Sequence, residues 1–341
     1  MKELELTYSP YRLILNTAFE TSRGKISERK GFIISLKSEN GKTGLGDAAP
    51  FPEFGSESYE ETDEALNKIE LKINLDLGDL RKSLKYIFRN YEAFPALRHG
   101  LEQALLNLIC NERNLSLSEV LKLKLKDEIF VNAAIGFLSA EETYLKVKDL
   151  KVKGFNTIKI KVGRSKFEED LEILKAARNA AGSDIKVRVD VNGKWDLDCA
   201  IKNLKQLEEL DIEYAEQPAN SIEDFIEIKK ETSILIAADE SIRNYISAKA
   251  FILGNAVDII VLKPMLIGGL VPTLEIIELA EKYKVIPVIT SSFESAIGRA
   301  NLVIAAASVK ADIAHGLAVS KYFEQDITND KFPIVSGKIS I

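Results

Sequence analysis

From residue 131 onward the chain repeats one phrase: a short apolar, largely β-branched run that ends on a polar group, then a stretch of helical period. The runs fall at residues 132–137, 157–162, 186–191, 214–218, 235–240, 258–264 and 287–292, with a short eighth at 312–317. The polar residues near their ends are Lys161, Asp190, Glu216, Asp239, Lys263 and Ser291, separated by 29, 26, 23, 24 and 28 residues. Each interval is about one strand-plus-helix unit. So many units in series predict an α/β chain closed into a parallel (β/α)7β TIM-like barrel rather than an open sheet. Successive strands then deliver one polar group each to the same end, the end that carries chemistry in such barrels.

The first part of the chain has a different texture. Strand-like runs at residues 3–16, 31–37 and 43–48 are expected to pair antiparallel, the last two across the turn Glu39-Asn40-Gly41. Helical patterns follow at residues 58–73 and 97–109, the second with Leu101, Ala104, Leu105 and Ile109 on one face. With 341 residues there is room for a barrel and an added domain. The expected division is an N-terminal α+β capping domain over residues 1–127, the barrel over 128–320, and a closing segment, 321–341, that returns to the cap and completes it.

Composition removes several function classes. A net charge of −6 with dispersed lysines disfavours nucleic acid as a partner. The N-terminus lacks the basic-then-apolar order of a leader and no apolar run approaches a bilayer span, so no membrane partner and a cytoplasmic location are expected. The only cysteines, Cys110 and Cys199, are expected reduced and buried. His99 and His315 are the only histidines, so any metal must be held by oxygen, and protons must move through lysine, carboxylate or tyrosine.

Lys159 and Lys161 lie two apart on one run and so share a face, as do Asp190 and Asn192. Two ammoniums crowded together press at least one toward neutrality, which makes a lysine usable as a base. Taken singly, the lysine pair reads equally as a solvated edge, Asp190-Val191-Asn192-Gly193 as a turn, and Glu216 and Asp239 as ion-pair partners or caps. Their conjunction points elsewhere. Three carboxylates from adjacent strands form a hard oxygen set suited to Mg²⁺, with Mn²⁺ as an alternative. Lys263, across the barrel inside an apolar run, has no structural excuse. The set suits proton abstraction from carbon beside a carboxylate, a small-molecule substrate whose dianionic enediolate needs several kcal/mol of stabilisation.

These residues resemble the muconate-lactonising branch of the enolase superfamily over nearly the whole chain. The matching elements are Lys159-x-Lys161, Asp190-x-Asn192-Gly193-x-Trp195, Glu216-Gln217-Pro218, Asp239-Glu240-Ser241 and Lys263-Pro264 followed by Gly268-Gly269. The resemblance implies Asp190, Glu216 and Asp239 as metal ligands and Lys161 and Lys263 as the acid/base pair. Lys159 would orient the substrate carboxylate or tune its neighbour, with Asn192 and Glu240 supporting the ligands from behind. Lysine bases beside Mg²⁺ are a known arrangement of that superfamily.

Within the branch the chain is similar to its dehydratases, through the seventh-strand Ser291-Ser292-Phe293-Glu294-Ser295-Ala296-Ile297-Gly298 and through Thr21-Ser22-Arg23-Gly24. That similarity implies Lys161 as the group that abstracts a proton and then protonates a departing hydroxyl, with Lys263 staying cationic. Arg23 reads equally as a partner for a distal carboxylate or as plain surface, and Ser291 and Ser292 as substrate contacts or as caps of the following turn. Dipeptide epimerases of the same branch carry Asp-x-Asp on the eighth strand, where Asp312-Ile313-Ala314 keeps only the first aspartate. N-succinylamino acid racemases would use the same lysines. An inert barrel serving as a binding or scaffold protein predicts an eroded site, yet all five charged positions are filled. A homo-oligomer is compatible with the sequence.

Overall fold

The computed structural model describes residues 4–21, 24–69 and 79–341. Three antiparallel strands open the chain: β1 (Leu4–Thr21), β2 (Gly24–Ser38) and β3 (Thr43–Ala48), in the order β1-β2-β3. The turn before β3 is the expected one, with Gly41 at φ +76° and its N–H donating to Ser38 O. β1 and β2 are longer than their apolar alternation foretells, because mutual pairing extends past Ile14↔Glu28 into polar sequence. Three helices follow: α1 (Tyr59–Asn67), α2 (Leu80–Phe88) and α3 (Pro95–Arg113). α1 starts where Ser58 and Glu61 form a reciprocal capping box and ends at Asn67; residues 70–73 of the expected helix lie outside the described residues. α2 was not foreseen, although Leu80, Leu84, Ile87 and Phe88 form its buried face.

β3 lies directly on α3. A Cβ on Gly46 would stand 1.9 Å from Gly100 O and one on Gly44 2.1 Å from Ala104 O, so only glycine lets this strand and helix meet. Leu97, Leu101, Ala104 and Leu105 of α3 are buried beneath Phe32, Ile34 and Leu36 of β2.

A short strand, β4 (Glu128–Phe130), leads into the barrel. Its seven parallel strands are β5 (Ala133–Ile135), β6 (Thr157–Lys161), β7 (Lys186–Asp190), β8 (Ile212–Glu216), β9 (Leu235–Ala238), β10 (Ile259–Leu262) and β11 (Ile286–Ile289), in sequence order across the sheet. The ring closes through the eighth segment, where His315 bridges Val131 and Gly316 bridges Thr290, both parallel. Asn132 N–H donates to His315 O, His315 N–H to Phe130 O, Ser291 N–H to Gly316 O and Gly316 N–H to Ile289 O. Inside, Tyr214, Ala237, Ile259, Val261, Val288 and Ile313 fill the lumen below the site, so the floor is packed and the polar groups sit at one end.

The last segment divides its contacts. Phe323 bridges Leu15 of β1, and Glu324 N–H donates to Ile14 O, which ties this stretch to the cap. The terminal strand β12 (Lys338–Ser340) pairs instead with β4 at the entry to the barrel. The cysteines depart from expectation: both are free, but Cys199 is exposed and Cys110 only half-buried, because each stands on a helix face turned from the core. Both histidines are buried; His315 Nδ1 accepts the Ile289 N–H at 3.0 Å, and burial pushes its pKa down to about 3. Among the described residues no helix is long and apolar enough to cross a membrane.

Candidate active site

Parallel register sets the first row. Lys161 lies opposite Asp190 and Asp190 opposite Glu216, while Glu216 pairs with Ala237, so Asp239 stands two residues farther toward the mouth. Lys263 follows the end of β10, four strands from β6 and hence on the opposite wall of the ring. The turns behind this row are built by residues in the left-handed region. Asn192 (φ +51°) donates through Nδ2 to Glu240 Oε1 at 2.9 Å. Gln217 (φ +45°) accepts the N–H groups of Asp239 and Ser241 and donates to Ala219 O and Ser241 Oγ. Gln217 was quoted in a motif but given no role; its amide joins the loops that carry Glu216 and Asp239.

Asp190, Glu216 and Asp239 are 4%, 1% and 7% exposed, so their charge must be answered inside the protein. Lys159 Nζ lies 2.7 Å from Glu216 Oε1 and 3.2 Å from Asp190 Oδ2, and Lys263 Nζ is hydrogen-bonded to Asp239 Oδ1. Burial, reinforced by Asp190 and Asp239, lifts the Glu216 carboxyl to about 8 despite Lys159. Burial with Asp239 and Asp190 lifts Glu240 to about 7, and Glu240 Oε2 is buried with no hydrogen-bond partner. Among the described residues no three His, Cys, Asp or Glu side chains are gathered as a ready-made ion cage; the two ammoniums hold the carboxylates instead.

The three lysines separate by environment. Burial opposes the charged form of Lys159 and Lys263, yet Asp190 and Glu216 hold Lys159 well above the usual lysine range, and Asp239, Glu240 and Glu216 hold Lys263 above it. For Lys161 burial prevails, helped by Lys159 and Lys194 against Asp190 and Glu240, and its pKa falls below the usual range.

Above this floor opens a cavity of about 1200 Å³ lined by both lysine walls, Asp190, Asp239, Ser291 and the cap residue Phe54. Phe54 stands in a short 3-10 turn and its ring centroid is 5.5 Å from Lys263 Nζ. Nothing in the local sequence marks it, because its role exists only once the cap is seated.

The two serines part company. Ser291 lines the cavity, whereas Ser292 is fully buried and lies off its lining, so the expected substrate contact through Ser292 is corrected. Its backbone N–H, not its hydroxyl, is engaged, by the carboxylate of Glu294. Arg23 lies outside the described residues. Asp312, read as the eighth-strand position, is also corrected: it is at the far end of that segment, paired with Lys126 at 2.7 Å, while Gly316 and Ala318 face the cavity.

Residues 143–341 match the family model described as enolase C-terminal domain-like. The chain belongs to the enolase superfamily. Residues 2–108 of this superfamily member match a second model, the MenC N-terminal domain. The o-succinylbenzoate synthase of Thermobifida fusca (strain YX) is 32% identical over 219 residues, covering 63% of this chain and 67% of that protein. The D-Ala-D/L-Ala epimerase of Cytophaga hutchinsonii is 30% identical over 308 residues, covering 87% and 80%. Among solved structures, the dipeptide epimerase from Methylococcus capsulatus complexed with Mg and the dipeptide L-Arg-D-Lys aligns at a TM-score of 0.88 and 26% identity, over 100% of this chain and 97% of that one. Enolase-superfamily members with different reactions thus share this scaffold.

Proposed function

We propose that the protein is an o-succinylbenzoate synthase, a carbon–oxygen lyase that dehydrates 2-succinyl-6-hydroxy-2,4-cyclohexadiene-1-carboxylate in menaquinone biosynthesis. The observation that carries the reading is the opposition of a lysine depressed by burial, Lys161, to a lysine held cationic, Lys263, across a cluster of buried carboxylates. The match of the first domain to the MenC N-terminal model and the similarity to the Thermobifida fusca synthase support the choice of reaction.

In this reading Asp190, Glu216 and Asp239 hold a divalent cation, Mg²⁺ by the all-oxygen donor set. Three buried carboxylates that here hold the ammoniums of Lys159 and Lys263 fit such an ion. When bound, the cation supplies the positive charge that a carboxylate requires as its α-proton is lost. Neutral Lys161 takes that proton. Lys263 keeps its own and faces the electron-rich side of the ring, and Lys159 neutralises the substrate carboxylate. The lysine that took the proton returns it to the departing hydroxyl. Phe54 and the cap exclude water from the exchange.

Dipeptide epimerisation loses support at the eighth strand, where Gly316 and Ala318 offer no carboxylate to a dipeptide ammonium. Purified protein with Mg²⁺ is expected to convert the hydroxycyclohexadiene carboxylate to o-succinylbenzoate, and to act more slowly on N-succinyl amino acids and on dipeptides. No turnover of the first substrate, followed by absorbance, sinks the proposal.

A further inference from the structure

Ser291 has one proton to give, and it is already committed. Its hydroxyl donates to Glu294 Oε2, and the same oxygen accepts the Phe293 N–H at 2.9 Å. A serine hydroxyl has one donor and two acceptor positions, so a single lone pair is left for the cavity. Glu294 is fixed as the acceptor, since both of its oxygens also take the Ser292 N–H at 2.9 Å and the residue is 1% exposed. The loop is pinned on its other side by the cap. Ser295 donates through N–H and Oγ to Asp47 Oδ2 at 2.9 and 2.7 Å, and Asp47 also accepts the Tyr11 hydroxyl. Phe293, between the two anchors, is held at φ +62°, a conformation a bulky residue keeps only where its surroundings impose it.

We propose that Glu294 is a positioning residue that turns Ser291 into an acceptor-only contact, so that the cavity selects a ligand carrying a hydrogen-bond donor. The identity of that donor rests on the dehydratase reading. The substrate has two ionised carboxylates and a ketone, which only accept, so its single donor is the hydroxyl that leaves. When Ser291 accepts a hydrogen bond from that hydroxyl, the hydroxyl keeps its own proton and leaves its lone pairs for the Lys161 ammonium. The C–O bond breaks as this ammonium delivers its proton, the electron pair departs with oxygen as water, and the pair freed from the earlier C–H bond completes the aromatic ring. Lys161 takes one proton and returns one, so substrate becomes o-succinylbenzoate plus water. That product has no donor. The contact that favours substrate therefore disfavours product, which aids release.

The test compares Ser291→Ala and Glu294→Gln with the wild type, all Mg²⁺-loaded, by steady-state kinetics and by calorimetric titration with o-succinylbenzoate. Ser291→Ala is expected to lose about tenfold in kcat/KM, the scale of one hydrogen bond, with product affinity unchanged within about twofold. In Glu294→Gln the amide N–H₂ donates to Ser291 and frees the serine proton for the cavity. Its kcat/KM should fall while product binding tightens about threefold or more, a split that mere loosening of the loop does not produce. Equal losses for substrate and product in either variant, or wild-type kcat/KM in Ser291→Ala, overturn the proposal. If Glu294→Gln does not fold by thermal melting, the Ser291→Ala split decides alone. Absent turnover in the wild type condemns the dehydratase reading instead, and tighter or unchanged product binding in Glu294→Gln still decides between an acceptor-only Ser291 and none.

Discussion

The walls of β6 and β10 each present a lysine to one cavity, and they drive the same side chain toward opposite charge states. On the β6 wall, Lys161 shares its surroundings with Lys159 and Lys194, and burial leaves it short of compensating charge. On the β10 wall, Lys263 is hydrogen-bonded to Asp239, with Glu240 and Glu216 adding to the field, and burial is overcome. Residue type therefore says little about role here. The count of nearby carboxylates against nearby ammoniums shifts the two lysine pKa values in opposite directions.

Truncation separates the two walls most directly. Lys161→Ala is expected to lose at least about 10³-fold in kcat, about 4 kcal/mol of barrier, since its neighbour Lys159 is held cationic by Asp190 and Glu216. A variant that keeps a substantial rate removes Lys161 from its role. A finer cut comes from exchange for arginine, which stays protonated at all working pH. Lys263→Arg is expected to retain measurable dehydratase, within about 10²-fold of wild type, whereas Lys161→Arg should be as inactive as Lys161→Ala. Equal losses would erase the distinction between the walls.

The pH profile sharpens the same contrast. Because the active form of Lys161 is the neutral amine, kcat/KM should rise with pH as that amine deprotonates, on a limb below the ordinary lysine value of 10.5. The raised Lys263 keeps its proton across that limb, so Lys263→Arg should preserve the limb while lowering its height. The smallest effect is expected outside both walls. Asp312→Ala, 91% exposed beside Lys126, should leave kcat/KM within about twofold and the melting temperature essentially unchanged, by turnover and thermal melting. A large loss there would restore the eighth-strand aspartate to the site.

What the sequence discloses and what it hides follow from the same periodicities. Lys161, Asp190, Glu216, Asp239 and Lys263 were legible because each ends a run whose neighbours in the chain repeat the pattern one unit later, so their common end of the barrel could be counted. The eighth segment had no such support. Residues 312–317 are too short to show direction or register, and only the bridges at His315 and Gly316 reveal that Asp312 is remote from the mouth. Ser291 and Ser292 were indistinguishable as adjacent serines, and the fold separated them by turning one to the lumen and the other into the packing behind it. Phe54 and the Asp47–Ser295 contact join parts of the chain too distant for any local pattern to record. The long β1–β2 ribbon was underestimated because polar residues carry no alternation, although their backbones pair as well as any others.

The seam at His315 and Gly316 has a consequence for how such a molecule changes over generations. One bridged residue pair joins this segment to each neighbour there, whereas β6 and β7 share five pairs in register. Yet Gly316 and Ala318 sit on the cavity wall opposite no charged ligand of their own. At Gly316 a Cβ would stand 2.3 Å from Thr290 Oγ1, so it is at Ala318, not Gly316, that a lineage can exchange side chains and reshape the cavity wall before it must reshape the fold.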